Sequence, residues 1–495
     1  MNRAHCGAGF QPAFQMPAES LHHKMFRQRR GAILIAAMWI MIILVALVLV
    51  LARSMRVEAI STGNRQSLLE ADAVERGAEQ YVLWQVDGAK GDALSVTSID
   101  TEAMPVGNGY FWIISPDPTS DQNYNFGITD EASKLNLNTA TSLMLQNLPA
   151  MTSDVADAIV DWADADDTPG QNGAESDYYQ NLQFPYVAKN LPLESVEELL
   201  LVKGMNKGLL FGYDLNRNGF LEADESQSGG LASAVNSGSS DSRGLFNYVT
   251  AWSVEPNTTI DGQPRTSVNG TNTAPLQKAL STVLPAARVT EILAKLAPLY
   301  NPPAATGGKG KTKKPVAPAV ATFTNMGVFY LASGMTPAEF GKVADLLTAS
   351  TAKTLTGLVN VNTAPAQVFA CLPGLDQNDA NTLVSARQSA DTTSIAWVLT
   401  ALQPQTKALA VAGMLSTRSY IYSADIVGVS GDGRSFKRVR VVVNAQASPA
   451  KIIYRRDLTS LGWPLDPRIH DDLRGGHFAP PVQGTNSGSG GSGFH

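Results

Sequence analysis

Cysteine is nearly absent from this chain, which has 2 of them in 495 residues. Cys6 lies ahead of a long apolar run and Cys371 stands alone in a helical pattern, so a disulfide framework is excluded. Cys371 reads as a small buried apolar residue, the usual fate of a free cysteine. Histidine is almost as scarce, at 6, and none falls between His23 and His470. The body of the chain therefore lacks the usual general base, the imidazole of most zinc sites and any serine–histidine arrangement. Excess positive charge is missing too. A formal net charge of -6 provides no overall field to gather nucleic acid or anionic lipid. At this length the chain has room for two or more domains.

What is present starts with one uncharged segment, Ala32 to Leu51. An apolar helix of about 20 residues spans a hydrocarbon core about 30 Å thick. Lys24, Arg27, Arg29 and Arg30 crowd its N-terminal side, which by the positive-inside tendency stays cytoplasmic and sends the rest across. An ordinary secretory signal would carry a shorter core followed by a small-residue cleavage site. Here the small residue at a sensible processing point, Gly31, precedes the run. Beyond it, Leu68, Ala71, Val74, Ala78 and Tyr81 recur at helical spacing among charges, predicting an amphipathic continuation over 52–90.

Strands are expected at Tyr110–Ser115, and far downstream at Tyr420–Val429 and Phe436–Val443 around a Ser430-Gly-Asp-Gly-Arg434 turn, with Lys451–Tyr454 as a further candidate. Between these regions, 135–415 reads as mainly helical. It carries a repeat without gaps. Leu135-Asn-Leu-Asn-Thr-Ala140 and Leu148-Pro149 match Val359-Asn-Val-Asn-Thr-Ala364 and Leu372-Pro373, each followed by a second helix. Short helix, Leu-Pro turn, second helix is the pattern of a helix-hairpin-helix unit. Weaker copies lie around Leu199–Leu210 and Leu331–Leu346, with Gly-Met turns. Residues 301–320, rich in Pro, Gly and Lys, read as an exposed linker, and 465–495 as a disordered tail.

Two motifs point to a metal. Asp214-Leu-Asn-Arg-Asn-Gly-Phe-Leu-Glu-Ala-Asp-Glu225 fits the EF-hand calcium loop. Asp214, Asn216 and Asn218 offer oxygens at positions one, three and five, and Gly219 permits the sharp turn. Phe220 supplies a backbone carbonyl, Glu222 binds directly or through water, and Glu225 is the bidentate carboxylate. Two neutral asparagines lower the ligand charge, which suits a weak structural site. The second motif is an acidic cluster, Asp161, Asp164, Asp166, Asp167, Glu175 and Asp177. On a helix Asp157, Asp161 and Asp164 would repel one another; a bound cation or plain solvation in a loop would relieve this, and spacing alone leaves both open.

Gly31 at the edge of the apolar run resembles the class III signal of type IV pilins and type II secretion pseudopilins. The resemblance implies cleavage after Gly31 by a prepilin peptidase and a methylated Ala32 as the new N-terminus, from a start at Met1 or Met25. Major pilins carry glutamate at the fifth mature position, which here is Ala36. That departure is characteristic of the K-type minor pseudopilin, placed at the tip. Ile128-Thr-Asp-Glu-Ala-Ser-Lys-Leu-Asn-Leu-Asn-Thr139, Val196-Glu-Glu-Leu199, Tyr248-Val-Thr-Ala-Trp-Ser-Val-Glu-Pro-Asn257, Asn360-Val-Asn-Thr-Ala-Pro365 and the Asp161–Asp177 cluster look like segments of the type II secretion K family.

Membership in that family implies an α+β fold. It would comprise a leader (1–31), a transmembrane helix (32–51), an amphipathic pilin helix (52–90) and a pilin-like α/β domain with an antiparallel sheet (91–134 and 416–464). A large mainly α-helical insertion (135–415) with helix-hairpin-helix-like repeats would interrupt that domain. The implied role is a non-enzymatic, single-pass subunit of the bacterial inner membrane with a periplasmic C-terminal domain. It would bind Ca2+, join I- and J-type minor pseudopilins and the inner-membrane assembly platform, and initiate or cap a pseudopilus that exports folded proteins. Two other classes compete: a helix-hairpin-helix DNA-binding or uptake protein, and a metal-dependent hydrolase. Against the first, the turn Pro149-Ala-Met-Thr152 lacks glycine, and Pro373-Gly-Leu-Asp376 puts an aspartate where a phosphate would sit. Against the second, no base or nucleophile partners the carboxylates.

Overall fold

The structure, a computed structural model, describes residues 22–117, 124–221, 225, 243–270, 272–300 and 322–481. Side chains are described from residue 32 onward, with the exception of Tyr124. The expected leader up to residue 21, the 301–320 linker and Glu222 lie outside the described residues. Two compact units divide the chain, Met1–Gln66 and Ser67–His495.

The described residues of the first unit are helix. His22–Gly88 is one α-helix, and from Ala32 to Leu51 every side chain is exposed. The described helix is long and apolar enough to cross a membrane, with a window of mean hydropathy 3.3. Gly31, Ala32 and Ala36 all lie on it.

In the second unit the last turns of that helix bury Ala71, Val74, Ala78, Val82 and Val86. These intervals of three and four place the five side chains on one stripe. The stripe packs on a 7-stranded sheet whose main path runs Met104–Val106, Gly109–Pro116, Ile421–Val429, Phe436–Asn444, Lys451–Asp457. All pairings along this path are antiparallel. Tyr124–Phe126 pairs with Gly109–Pro116, and Thr129–Asp130 pairs with Ile421–Val429. Strand alternation sorts the side chains. Phe111, Ile113, Ala424, Ile426, Val439, Val441 and Val443 pack with the helix. Trp112, Ile114, Val427 and Val429 face the other way, under Leu465 and Leu473.

That cover corrects one expectation. The tail from 465 is not disordered at its start: Pro467–Gly475 is a helix, with Asp466 accepting from Arg468 N as its cap and proline at its first turn. Its apolar residues decide the matter. Leu473 is buried, and Trp463, Ile469 and Phe478 pack against the same face of the sheet.

The helical block has its own core, from Leu135 to Leu415. Among the described residues it contains three modules with a shared order of elements, the first with an added short helix, Ser176–Gln180, where the sequence repeat showed two. The first opens on Leu135–Asn136, continues through helices Ser142–Leu145 and Ser153–Ala163, then Val196–Leu201 and Lys207–Phe211, and closes on Val249–Thr250. The middle one runs from Thr266–Ser267 through Ala274–Ser281, Ala286–Tyr300, Met326–Ser333 and Pro337–Val343 to Leu347–Thr348. The last runs from Val359–Asn360 through Ala366–Ala370, Gln377–Arg387, Ala396–Ala401 and Gln405–Val411 to Leu415–Ser416. In each, the opening and closing strands pair in parallel. The segments Leu199–Leu210 and Leu331–Leu346 fall on the later helices of the first two modules, Val196–Leu201 being a 3-10 helix.

One asparagine recurs in each module, two residues beyond the opening strand. Asn138 accepts from Leu193 N at 2.7 Å and donates to Leu193 O and Ala251 O. Asn269 does the same with Phe323 N at 2.8 Å, Phe323 O and Ala349 O. Asn362 donates to Thr392 O and Thr417 O. In the first two modules a side-chain amide does a strand's work, holding the crossing segment by both backbone groups, whereas Asn362 holds its neighbours by donation alone and its buried Oδ1 has no partner.

Candidate metal centre

The acidic cluster is built where the first module departs from the other two. Its second helix, Ser153–Ala163, is capped by Thr152 and buries Val155, Ala156, Ala158, Ile159 and Trp162. Asp161 lies on that buried side, at its C-terminal end, and Asp164 is the C-terminal cap. The chain then loops outward and returns through Gly170–Gly173 to Glu175, the N-cap of the short helix Ser176–Gln180.

Asp161, Asp164 and Glu175 converge, with one carboxylate oxygen from each within 4.8 Å of the others. Glu175 is 3 % exposed, yet neither of its oxygens has a partner, and Asp164 Oδ1 is also buried and unpaired. Burial, then the charges of Asp161, Asp164, Asp167 and Asp166, push the Glu175 carboxyl up to about 7. Asp161 is also raised by burial, although backbone N–H donors of Gly170 and Ala174 favour its charged form. Asp164 is raised by burial and by Asp166. Three carboxylates brought together with orphaned buried oxygens fit a hard cation that takes oxygen ligands.

Three of the six expected ligands do not join them. Asp166, Asp167 and Asp177 are exposed. Asp166 Oδ1 accepts from Thr168 N at 2.8 Å, and Asp167 Oδ1 from Ser176 N at 3.4 Å, so they shape the loop. Asp157 is bound as well. It accepts from Ser142 Oγ, from Asn172 N at 3.2 Å and from Asn172 Nδ2 at 3.1 Å. Gly173 is required by close approach: a Cβ there would overlap the Asp161 carboxylate.

The EF-like loop is a second arrangement of the same chemistry. Asp214, Asn218 and Glu225 are buried, at 4 %, 2 % and 6 % exposed. Asp214 accepts from Asn218 N at 3.0 Å and from Gly219 N at 2.8 Å, and Asn216 Oδ1 accepts from Asn218 N at 2.9 Å. Asn218 Oδ1 accepts from Phe220 N at 2.8 Å. Glu225 Oε1 reaches back to Leu215 N at 2.8 Å and Asn216 N at 3.1 Å. Arg217 and Gly219 take positive φ of 59° and 83°, which the tight turn demands. The loop therefore curls its side-chain oxygens inward. Burial raises Asp214 to about 6, against the opposing pull of the Gly219 N–H and Arg438.

Sequence reasoning did not foresee what holds this loop. Arg438, wholly buried in the sheet, pairs with Asp425 at 2.8 Å and donates to Asn216 O and Arg217 O. Asn218 Nδ2 donates to Pro464 O at 2.8 Å. An arginine in a strand pattern that faces a distant loop leaves no local signal. Cys371 matches its reading: it is buried, with its thiol pushed up to about 12 by burial.

Comparison with known proteins bears on these segments. Profiles of the family described as "Type II secretion system (T2SS), protein K" match residues 126–210 and 359–417. The first match contains the acidic cluster and stops before the EF-like loop; the second is the last module. A curated relative, "Type II secretion system protein K" of Pectobacterium carotovorum subsp. carotovorum, is 39% identical over 70 residues, 14% of this chain and 21% of that one. The chain thus spans about a fifth of the length of that relative. A solved assembly, the GspK-GspI-GspJ complex from the enterotoxigenic Escherichia coli Type 2 Secretion System, aligns over 80% of this chain and 99% of that chain. Its TM-score is 0.35 at 11% sequence identity, and at that score it adds nothing to the fold described above.

Proposed function

We propose that this chain, a member of the type II secretion system protein K family, is a membrane-anchored minor pseudopilin, an assembly subunit and not an enzyme. The observation that carries this reading is the pair of family matches at 126–210 and 359–417, downstream of an apolar helix fit to cross a membrane. Prepilin peptidase cuts after Gly31, and the freed N-terminus at Ala32 is methylated. The helix stays in the bacterial inner membrane, where the assembly platform engages it, and the sheet and helical block lie in the periplasm. Ala36 stands at the fifth mature position, where a glutamate would pair with the N-terminus of the subunit ahead. A buried carboxylate is costly without a partner, so a subunit at the tip has no use for one. Together with I- and J-type partners it starts or caps the pseudopilus.

Calcium belongs to the same reading. Asp161, Asp164 and Glu175 would hold one ion, and Asp214, Asn216, Asn218, Phe220, Glu222 and Glu225 a second. Bound calcium neutralises the carboxylates and cross-links the loops that carry them. The helix pairs of the helical block are helix-hairpin-helix-like in this reading and act as packing scaffold. The DNA reading loses support at its best turn, because Asp376 already accepts from Asn378 N and Asp379 N, the amides a phosphate would need.

The test is the mass of the N-terminus of protein extracted from membranes, with and without prepilin peptidase in the host. A peptidase-dependent, methylated Ala32 supports the pseudopilin reading. An uncut chain in a host with active peptidase overturns it.

A further inference from the structure

We propose that Lys203 is the positioning residue of the acidic centre, fastening the segment that delivers Glu175 against the repulsion its own charge exerts on a bound cation. The inference rests on the reading of Asp161, Asp164 and Glu175 as calcium ligands.

Locally the backbone around Glu175 is held by Ala174 N–H at Asp161 and by Ser176 N at Asp167, but the Glu175 side chain itself is not. It caps a helix of 5 residues and makes no side-chain cap bond there. From outside the loop, one residue also grips the chain on both sides of Glu175. On the leading side, Lys203 Nζ donates to Asn172 O at 3.1 Å and Gly173 O at 2.9 Å. On the trailing side, Lys203 N donates to Tyr179 Oη at 3.2 Å, and Nζ stands 5.3 Å from the Tyr178 ring centre. The turn that carries Lys203 is seated on the ligand-bearing helix. Gly204 follows with φ +79°, so close that a Cβ would lie 2.8 Å from Val155 Cγ2. From that helix Asp157 takes hold of the same loop through Asn172. Lys203 thereby closes the path from Asp161 to Glu175.

A competing role is that of a built-in counter-ion, a positive charge that offsets the carboxylates. The contacts speak for positioning: Lys203 bonds to carbonyl oxygens, and among the described residues it forms no ion pair. The two roles also predict opposite signs. By Coulomb's law, removing a positive charge near a cation site strengthens cation binding. Removing an outer contact that orients a ligand weakens it, typically 10- to 100-fold.

Calcium binding to the full chain in detergent is measured by calorimetry with CaCl2 after EDTA treatment and dialysis. A Glu225→Gln background leaves the acidic centre as the site that reports. Lys203→Met is expected to weaken calcium binding about tenfold, and Lys203→Arg to recover most of the loss. Tyr179→Phe, which removes the acceptor for Lys203 N without changing charge, is expected to weaken binding in the same direction and covers the case in which Lys203→Met fails to fold. Unchanged or tighter binding in Lys203→Met, or in Tyr179→Phe if that variant alone folds, overturns the inference. Glu175→Gln separates the two levels. If it binds calcium like the parent, the metal reading itself falls; if it loses calcium while Lys203→Met keeps it, Lys203 alone is misassigned.

Discussion

At the scale of single residues, the acidic centre shows how much of the convergence of Asp161, Asp164 and Glu175 is carried by the groups around them. The carboxylates were legible in the sequence as a cluster. Their division into three that converge, two that shape the loop and one, Asp177, that stays exposed was not, because it depends on where Gly170 to Gly173 turns back on the helix. Gly173→Ala should push a methyl into Asp161. The expected outcome is loss of calcium-dependent stabilisation, with the thermal midpoint in calcium falling to that of the EDTA-treated parent. Away from the acidic centre, Glu75 offers a pH test. It is buried beneath the edge strand, where Arg455 donates to both its oxygens at 3.1 Å and to Glu79 at 2.6 Å. Burial, then Glu79, push its carboxyl up to about 7, and Arg455 opposes them. A carboxyl raised on folding lends stability that is complete below its ordinary value near 4.5 and is lost as pH rises through about 7. Glu75→Gln should flatten the fall in unfolding midpoint between pH 5 and pH 8, a difference of up to about 3 kcal/mol in urea titrations.

Elements differ sharply in how far the sequence revealed them. The apolar helix and the long strands declared themselves by period and composition, since Ile421–Val429 and Phe436–Asn444 are β-branched runs around a glycine turn. Two-residue strands such as Thr266–Ser267 have no period to read. The middle module was hidden for that reason, and because its echo, Asn272-Thr-Ala-Pro275 before Leu284-Pro285, has a longer spacing than the copies on either side. The asparagine clamps are the structural signature the modules share. Asn138→Ala would leave Leu193 N and O without their partner in a buried place, and is expected to cost about 2 kcal/mol in chemical unfolding, with Asn269→Ala close to it. A weaker motif reading, Ile128-Thr-Asp-Glu, turns out to be a joint. Asp130 accepts from Asn360 at 2.8 Å and Thr363 at 2.6 Å, while Glu131 pairs with Lys134 at 2.6 Å and accepts from Thr250 and Ser423. One residue thus ties the sheet to the last module and its neighbour to the first. A double-mutant cycle on Asp130→Ala and Asn360→Ala should return a coupling above about 1 kcal/mol; an additive pair would deny the joint.

For the whole molecule, the insertion leaves the sheet and comes back at one place. Asp130 lies opposite Tyr422, and Thr129 opposite Ser423, although the helical block separates them in sequence. Its ends are strand neighbours, so the block adds no gap to the sheet. That arrangement sets an order in time. The helix stripe from Ala71 to Val86 is made early by the ribosome, but the central strand that covers it, Ile421–Val429, comes late. Until then the stripe and the strand Gly109–Pro116 wait with their apolar faces uncovered, while the helical block, which has a core of its own, folds ahead of them. A nascent chain halted before residue 420 should therefore hold a protease-resistant helical block on an open, aggregation-prone stem, and the last strands to be made are the ones that finish the first part of the protein.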